Sequence, residues 1–138
     1  MTAKELWKKS GFTGKYDAWS FGDDELTELV KSGKKTATAS AYDCYLAEEE
    51  ELPEVGETSV LLDDNDEAVC IIRASKVSVL PFNEVSEEHA RKEGEGDCSL
   101  AYWRKIHKDF FQEELAEIDK EFDEKMLVVC EEFEVIFE

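Results

Sequence analysis

The sequence predicts an α+β domain. Helix and strand signals fall in separate runs instead of alternating along the chain. The apolar spacing also changes between those runs, from i, i+3, i+4 to every second residue. The chain has 138 residues, 42% of them hydrophobic and 11% aromatic, which suits a single domain with a buried core. This composition is too apolar for a disordered chain, and 7 Gly with 2 Pro are too few for a collagen-like or linker-rich one.

Thr2-Ala3-Lys4-Glu5 has capping-box spacing and predicts a short helix whose Leu6 and Trp7 dock on the body. The next segment, with Gly11, Gly14, Phe12, Tyr16, Trp19 and Phe21, reads as a loop. Residues 1–20 are therefore expected to form a helix-and-loop extension of a single domain spanning 1–138. Asp23 is a good helix N-cap, followed by Asp24 and Glu25, which favour a helix start electrostatically. Leu26, Leu29 and Val30 supply the apolar stripe, and Lys31 and Gly33 mark the stop.

Residues 35–42 are small and β-compatible. The acidic run Glu48 to Glu51 reads as a solvated loop. Thr58 to Leu62 and Ala68 to Leu80, joined through Asp63-Asp64-Asn65-Asp66, predict a hairpin with a long second strand. Ser86 to Glu93 predicts a short helix closed by Gly94. Ser99 caps a longer helix whose apolar face runs through Leu100, Trp103, Ile106, His107, Phe110, Phe111, Leu115 and Ile118. Met126 to Phe137 is the final strand, alternating at Phe133, Val135 and Phe137. No repeat, low-complexity segment or internal boundary interrupts the chain.

Charge narrows the range of partners. The formal net charge is −19, and such a surface repels polyanions, whose binding relies on Lys and Arg neutralising phosphates. Residues 1–35 carry 7 basic and 6 acidic residues, whereas residues 36–138 carry 9 and 29. Only the N-terminal quarter, with Lys4, Lys8, Lys9, Lys15, Lys34 and Lys35, offers a basic patch. No apolar run approaches the roughly 20 residues that cross a bilayer, and the first residues lack the apolar core of a signal peptide. A cytoplasmic location is expected, with no membrane partner.

Cys44, Cys70, Cys98 and Cys130 form no C-x-x-C pair, and neither histidine lies near a cysteine in the sequence. Zinc-ligand spacing is missing, and reduced thiols are expected. No metal or other cofactor is called for.

Gly33-Lys34-Lys35-Thr36 lacks the upstream glycine and preceding strand of a phosphate-binding loop. The lysines still stand out, because they lead into the hydroxyl residues Thr36, Thr38 and Ser40. A partly buried lysine can lose its proton and activate a neighbouring hydroxyl. Equally, both lysines favour a helix C-terminus.

Gly33-x-Lys35-x-x-Thr38 resembles the signature of the ASCH domain family, Gly-x-Lys-x-x-Thr-x-Arg. Two further runs are similar to a bacterial branch of that family first described as a domain of unknown function. They are Phe82-x-x-Val85-x-x-x-His89-Ala90-x-x-Glu93 and Gly94-Glu95-Gly96-Asp97-x-Ser99-Leu100-x-x-Trp103-x-x-x-His107-x-x-Phe110-Phe111. The resemblance spans residues 19–137. It implies a small PUA-like β-barrel with surrounding helices and a cleft, tied to RNA or modified nucleosides. It also implies a metal-independent amidohydrolase acting on acylated nucleosides such as N4-acetylcytidine. The alternatives are a non-catalytic RNA- or nucleotide-binding module and a ribonuclease.

Carried over residue by residue, the family's catalytic pattern falls on Lys35, Thr38 and Glu93. An amide hydrolase needs a nucleophile, a base and an oxyanion stabiliser. Thr38 suits attack on the acyl carbon. A neutral Lys35 suits the base, although pairing with Glu93 would keep it charged. Glu93 suits proton delivery to the leaving amine. Residues three apart on a regular strand face opposite sides, so Lys35 is expected in the turn before the strand, or else a bulge intervenes.

Ser40 stands where the family has Arg, which removes a bidentate clamp. Together with the net charge, this disfavours long nucleic acid and favours a nucleoside or RNA-derived small ligand. Ser40, Tyr42, His89 and Asp97 are the candidate substrate-binding residues. Tyr42 can stack on a base or sit half-buried on a strand. His89 can line the cleft or pack, and Asp97 can cap a helix or meet ligand. Trp103 and His107 lie four apart on one helix face and read as core. The sequence leaves oligomeric state and substrate open.

Overall fold

The computed structural model describes all residues, Met1–Glu138. Helix α1 (Ala3–Ser10) starts at Thr2, whose side chain and that of Glu5 form the expected capping box. It is followed by β1 (Asp17–Ser20) and then by α2 (Asp24–Lys31), capped by Asp23. Strand β2 (Ala37–Ala41) runs directly into α3 (Tyr42–Ala47). Strands β3 (Thr58–Leu62) and β4 (Ala68–Pro81) form the hairpin. Helices α4 (Glu87–Glu93) and α5 (Leu100–Ala116), capped by Ser86 and Ser99, precede β5 (Leu127–Phe137).

Two elements differ from the sequence expectation. Residues 17–20, read as loop, form β1, which pairs parallel to β3. Four residues are too few to show alternation, so the partner strand makes this one. Tyr42, read as a strand aromatic, opens α3. That helix spans six residues and has no side-chain cap, so it carries none of the usual start signals.

The five strands form one mixed sheet in the order β1-β3-β4-β5-β2, curled into a half-barrel with five α-helices around it. Long β4 and β5 pair antiparallel along nearly their whole length. Alternation on β5 assigns the two faces. Val128 and Cys130 pack with Trp103, Phe111 and Leu115 of α5. Phe133, of opposite parity, packs with Val30 of α2 together with Leu61, Cys70 and Ile72. These are the α5 face and the α2 face of the sheet. Leu6 and Trp7 of α1 bury against Val60 and Ile71, on the side of β3 opposite to Leu61.

One irregularity makes this arrangement possible. Ala74 pairs with Phe133 and Lys76 with Glu132, so Ser75 has no partner. This extra residue is a β-bulge, and it switches the facing of β4. Cys70 and Ile72 therefore serve the α2 core while Leu80 packs against the α5 core. No helix is long and apolar enough to cross a membrane.

Candidate functional site

The turn between α2 and β2 places Lys35. Gly33 adopts φ +83, and the amides of Lys34 and Lys35 both donate to the Leu29 carbonyl at 2.9 Å. The Thr36 amide donates to the Lys92 carbonyl at 2.7 Å, and the Phe133 amide donates to the Thr36 carbonyl. Lys35 therefore lies in the turn before the strand, tied to both the end of α4 and β5. Its residue is 2% exposed.

Glu93 is the last residue of α4 and also fully buried. Four donors converge on its carboxylate. Oε1 faces Lys35 Nζ at 3.3 Å and His107 Nε2 at 3.2 Å. Oε2 faces His89 Nε2 at 2.7 Å and accepts from Trp103 Nε1 at 2.5 Å. The helix period explains the set: His89 and Glu93 lie one turn apart on α4, as do Trp103 and His107 on α5. His107 Nδ1 donates to the Trp103 carbonyl at 2.9 Å, which turns Nε2 toward Glu93. The ring of His107 stacks on Trp103 at 4.2 Å between centroids.

Burial pushes the Glu93 carboxyl up. Hydrogen bonds from His107 and His89 and the charges of His107 and Lys35 outweigh it, so Glu93 is held well below the usual carboxylate range. Lys35 also meets Glu95 Oε2 at 3.1 Å and the Glu93 carbonyl at 3.4 Å. Its ammonium lies 5.6 Å over the Phe21 ring, which packs in the α2-side cluster. Glu95 is the more exposed partner and stands between Lys35 and solvent.

Glu93, Glu95 and His107 offer ligand atoms within 4.8 Å of one another. The Lys35 ammonium already stands between the two carboxylates, where a bound cation would have to sit. The donor set therefore fits a buried ion-pair network better than a metal centre.

Of the residues named from sequence, the structure brings Lys35, Glu93 and His89 together. Thr38 does not join them by any hydrogen bond. It pairs with Glu131 on β5, which puts it on the α2 face, half-buried, with its hydroxyl unpartnered. Ser40 shares that face, and its hydroxyl bonds Tyr45 Oη at 2.8 Å. Ser40 and Tyr45 line a cavity of about 180 Å³ under α3, along with Phe110 and Glu114. His89 lines a second cavity, of about 220 Å³, with Lys76, Ser86, Lys92 and Glu132. Tyr42 lines neither cavity and makes no side-chain hydrogen bond. Asp97 is exposed at the entry to α5, where its carboxylate accepts from the Ser99 amide at 2.9 Å. Hydrogen bonds to Ser99 hold it below its ordinary value.

Sequence reasoning missed three contributors. Trp103 and His107 read as core, and they are core; their buried N–H groups nonetheless point at Glu93. Glu95 carried a usable signal, since it lies between Gly94 and Gly96 in an otherwise helical stretch. Cys44, Cys70, Cys98 and Cys130 are not joined in disulfides in this structure. Burial pushes Cys130 up to about 12 and Cys70 to about 11, so neither is a nucleophile at neutral pH.

A curled mixed sheet wrapped by helices, with a lysine–glutamate pair buried at the entry to its edge strand, defines a PUA-like domain. The ASCH domain family model matches residues 17–137, and the chain belongs to that family. An ASCH domain from Lactobacillus crispatus JV V101 is 32% identical with a TM-score of 0.91, covering 98% of this chain and 94% of that one. A DUF984 protein from Enterococcus faecalis V583 is 40% identical with a TM-score of 0.86, covering 97% and 85%. An ASCH protein from Zymomonas mobilis, 11% identical at a TM-score of 0.59 over 88% of this chain and 70% of that one, shares the fold alone. No curated protein sequence matches the chain.

Proposed function

We propose that the protein is an amidohydrolase of acylated nucleosides such as N4-acetylcytidine, using Lys35, Thr38 and Glu93. The observation that carries this reading is the buried pair of Lys35 and Glu93 at 3.3 Å. It joins the two charged residues of the family's catalytic pattern across 58 positions of sequence. In this reading Thr38 attacks the acyl carbon. Lys35, ion-paired and charged, stabilises the oxyanion. Glu93 holds the ammonium in place; with four donors on its carboxylate, it has no free lone pair for a second task. The ammonium lies 5.6 Å over Phe21, which packs in the α2-side cluster, and in this reading the Glu95 carboxylate moves aside so that a substrate can reach both Lys35 and Thr38. A neutral nucleoside also suits a chain with net charge −19.

A second reading, a non-catalytic nucleotide- or RNA-binding module, draws on the same saturated carboxylate, since so fully bonded a network also serves as a structural clasp. Turnover separates the two. The purified protein should release cytidine from N4-acetylcytidine, Lys35→Ala should release none while keeping its fold, and the rate should respond little to salt. No release at high enzyme concentration, with RNA binding that falls steeply as salt rises, would favour the binding module.

A further inference from the structure

A second chemistry-bearing pair lies on the α2 face. Thr38 and Glu131 are directly opposed across the β2–β5 ladder, so their Cβ atoms are about 5 Å apart. Both side chains are half-buried. The Thr38 hydroxyl and the Glu131 carboxyl each lack any hydrogen-bond or ion-pair partner in the chain. Glu132 beside it, by contrast, is bonded to Lys92 and paired with Lys76.

The groups packed around Glu131 are few. Glu57, just before β3, and Tyr45 on α3 are the titratable ones that act on it or feel it. Its ladder neighbours, Thr38 on β2 and Val77 on β4, are uncharged. Burial first, and then the like charge of Glu57, push the Glu131 carboxyl up to about 7. A group that titrates there is matched to proton transfer at neutral pH.

We propose that Glu131 is the acid–base partner of Thr38, taking the hydroxyl proton as Thr38 attacks an acyl carbon and returning it to the leaving amine. This rests on the amidohydrolase reading for its substrate and supplies the proton carrier that Lys35 and Glu93, locked together, do not. In the first half-reaction the Thr38 Oγ–carbon bond forms and the hydroxyl proton moves to the Glu131 carboxylate. The carbon–nitrogen bond then breaks, and that proton goes to the amine, leaving an acyl ester on Thr38. In the second half-reaction water gives a proton to Glu131 and its oxygen to the acyl carbon. The ester bond breaks, Thr38 recovers the proton, and the carboxylic acid leaves.

The test uses p-nitrophenyl acetate, which acylates an activated hydroxyl whatever the natural substrate is. Peptide mass spectrometry should find the acetyl group on Thr38 of the full chain. Its rate of appearance should rise with pH around a midpoint of about 7. Glu131→Gln should slow that labelling at least about 100-fold and flatten the profile. Glu57→Gln should keep the labelling and move the midpoint to lower pH, a shift that a merely structural Glu131 would not transmit. Thr38→Val marks the background. An unlabelled Thr38 in the wild type overturns the proposal. So does equal labelling in Glu131→Gln, or an unmoved midpoint in Glu57→Gln. Acetylated Thr38 without cytidine release from N4-acetylcytidine would instead sink the substrate assignment and leave the pair standing.

Discussion

Lys35 and Glu93 form an ion pair at 3.3 Å in which each side chain is 1% exposed. The pair clasps the entry of β2 to the exit of α4. It also fixes His89, His107 and Trp103 in one network, because every donor there shares the same carboxylate. A buried pair of this kind is weak evidence for net stability, but breaking it leaves an uncompensated charge.

Glu93→Ala should therefore lower the unfolding free energy by about 3–5 kcal/mol. Lys35→Met should cost less, about 1–3 kcal/mol, since Glu93 keeps its other three donors. Urea denaturation of the two variants measures the difference. The pH dependence follows from the depressed Glu93 carboxyl. Its contribution is complete above the unfolded carboxylate value, 4.5, and is lost as pH falls through the lower folded value. The gap between wild type and Glu93→Ala should shrink on acidification below about pH 4. A gap that stays constant to pH 2 or below would argue against the network.

Glu131 carries the opposite sign. Its folded value, about 7, lies above the ordinary 4.5. Ionising it between those values disfavours the folded state. Glu131→Gln should match the wild type in stability near pH 4 and exceed it by about 2 kcal/mol at pH 8. Thermal melts at the two pH values read this directly, and equal stability at both would contradict the carboxyl's burial.

Glu95 shields Lys35. Glu95→Ala should leave the Glu93 pair intact and open the ammonium to solvent. Acetic anhydride footprinting with peptide mass spectrometry should show Lys35 labelled several-fold faster than in the wild type, while exposed Lys34 stays unchanged. Unaltered protection of Lys35 would mean that another part of the fold seals it.

Gly94 adopts φ +69, and a Cβ there would collide with the backbone carbonyl of Lys34. Gly94→Ala combines left-handed strain with that backbone clash. A loss of about 2–4 kcal/mol is expected, together with faster labelling of Lys35 as its turn is pushed aside. Gly56→Ala is the comparison: also left-handed at φ +95, it has open space around it and should cost only the strain, about 1–2 kcal/mol.

Much of the fold was legible because its helices carry their own punctuation. Thr2, Asp23, Ser86 and Ser99 each accept the expected cap hydrogen bond. Strand β1 and helix α3 were not legible, since both are short and owe their conformation to neighbours. In the site, the turn position of Lys35 followed from the alternation rule, and its meeting with Glu93 from the family resemblance. Glu131 was beyond reach. In Glu131-Glu132 two identical residues face opposite ways, and only the pairing register says which one turns toward Thr38.

The unpaired Ser75 ties the two halves of the longest strand to different cores. Heredity can remove such a residue in one event, by loss of a single codon. The shortened strand would run as a regular ladder, with Ala74 still opposite Phe133 and Lys76 still opposite Glu132, so Lys76, Ser78 and Leu80 would keep their faces. Only the local bend and added twist of the bulge would go. Lineages of this protein should therefore accept a gap at position 75 more readily than a gap elsewhere in β4, which would turn the residues beyond it to the opposite side.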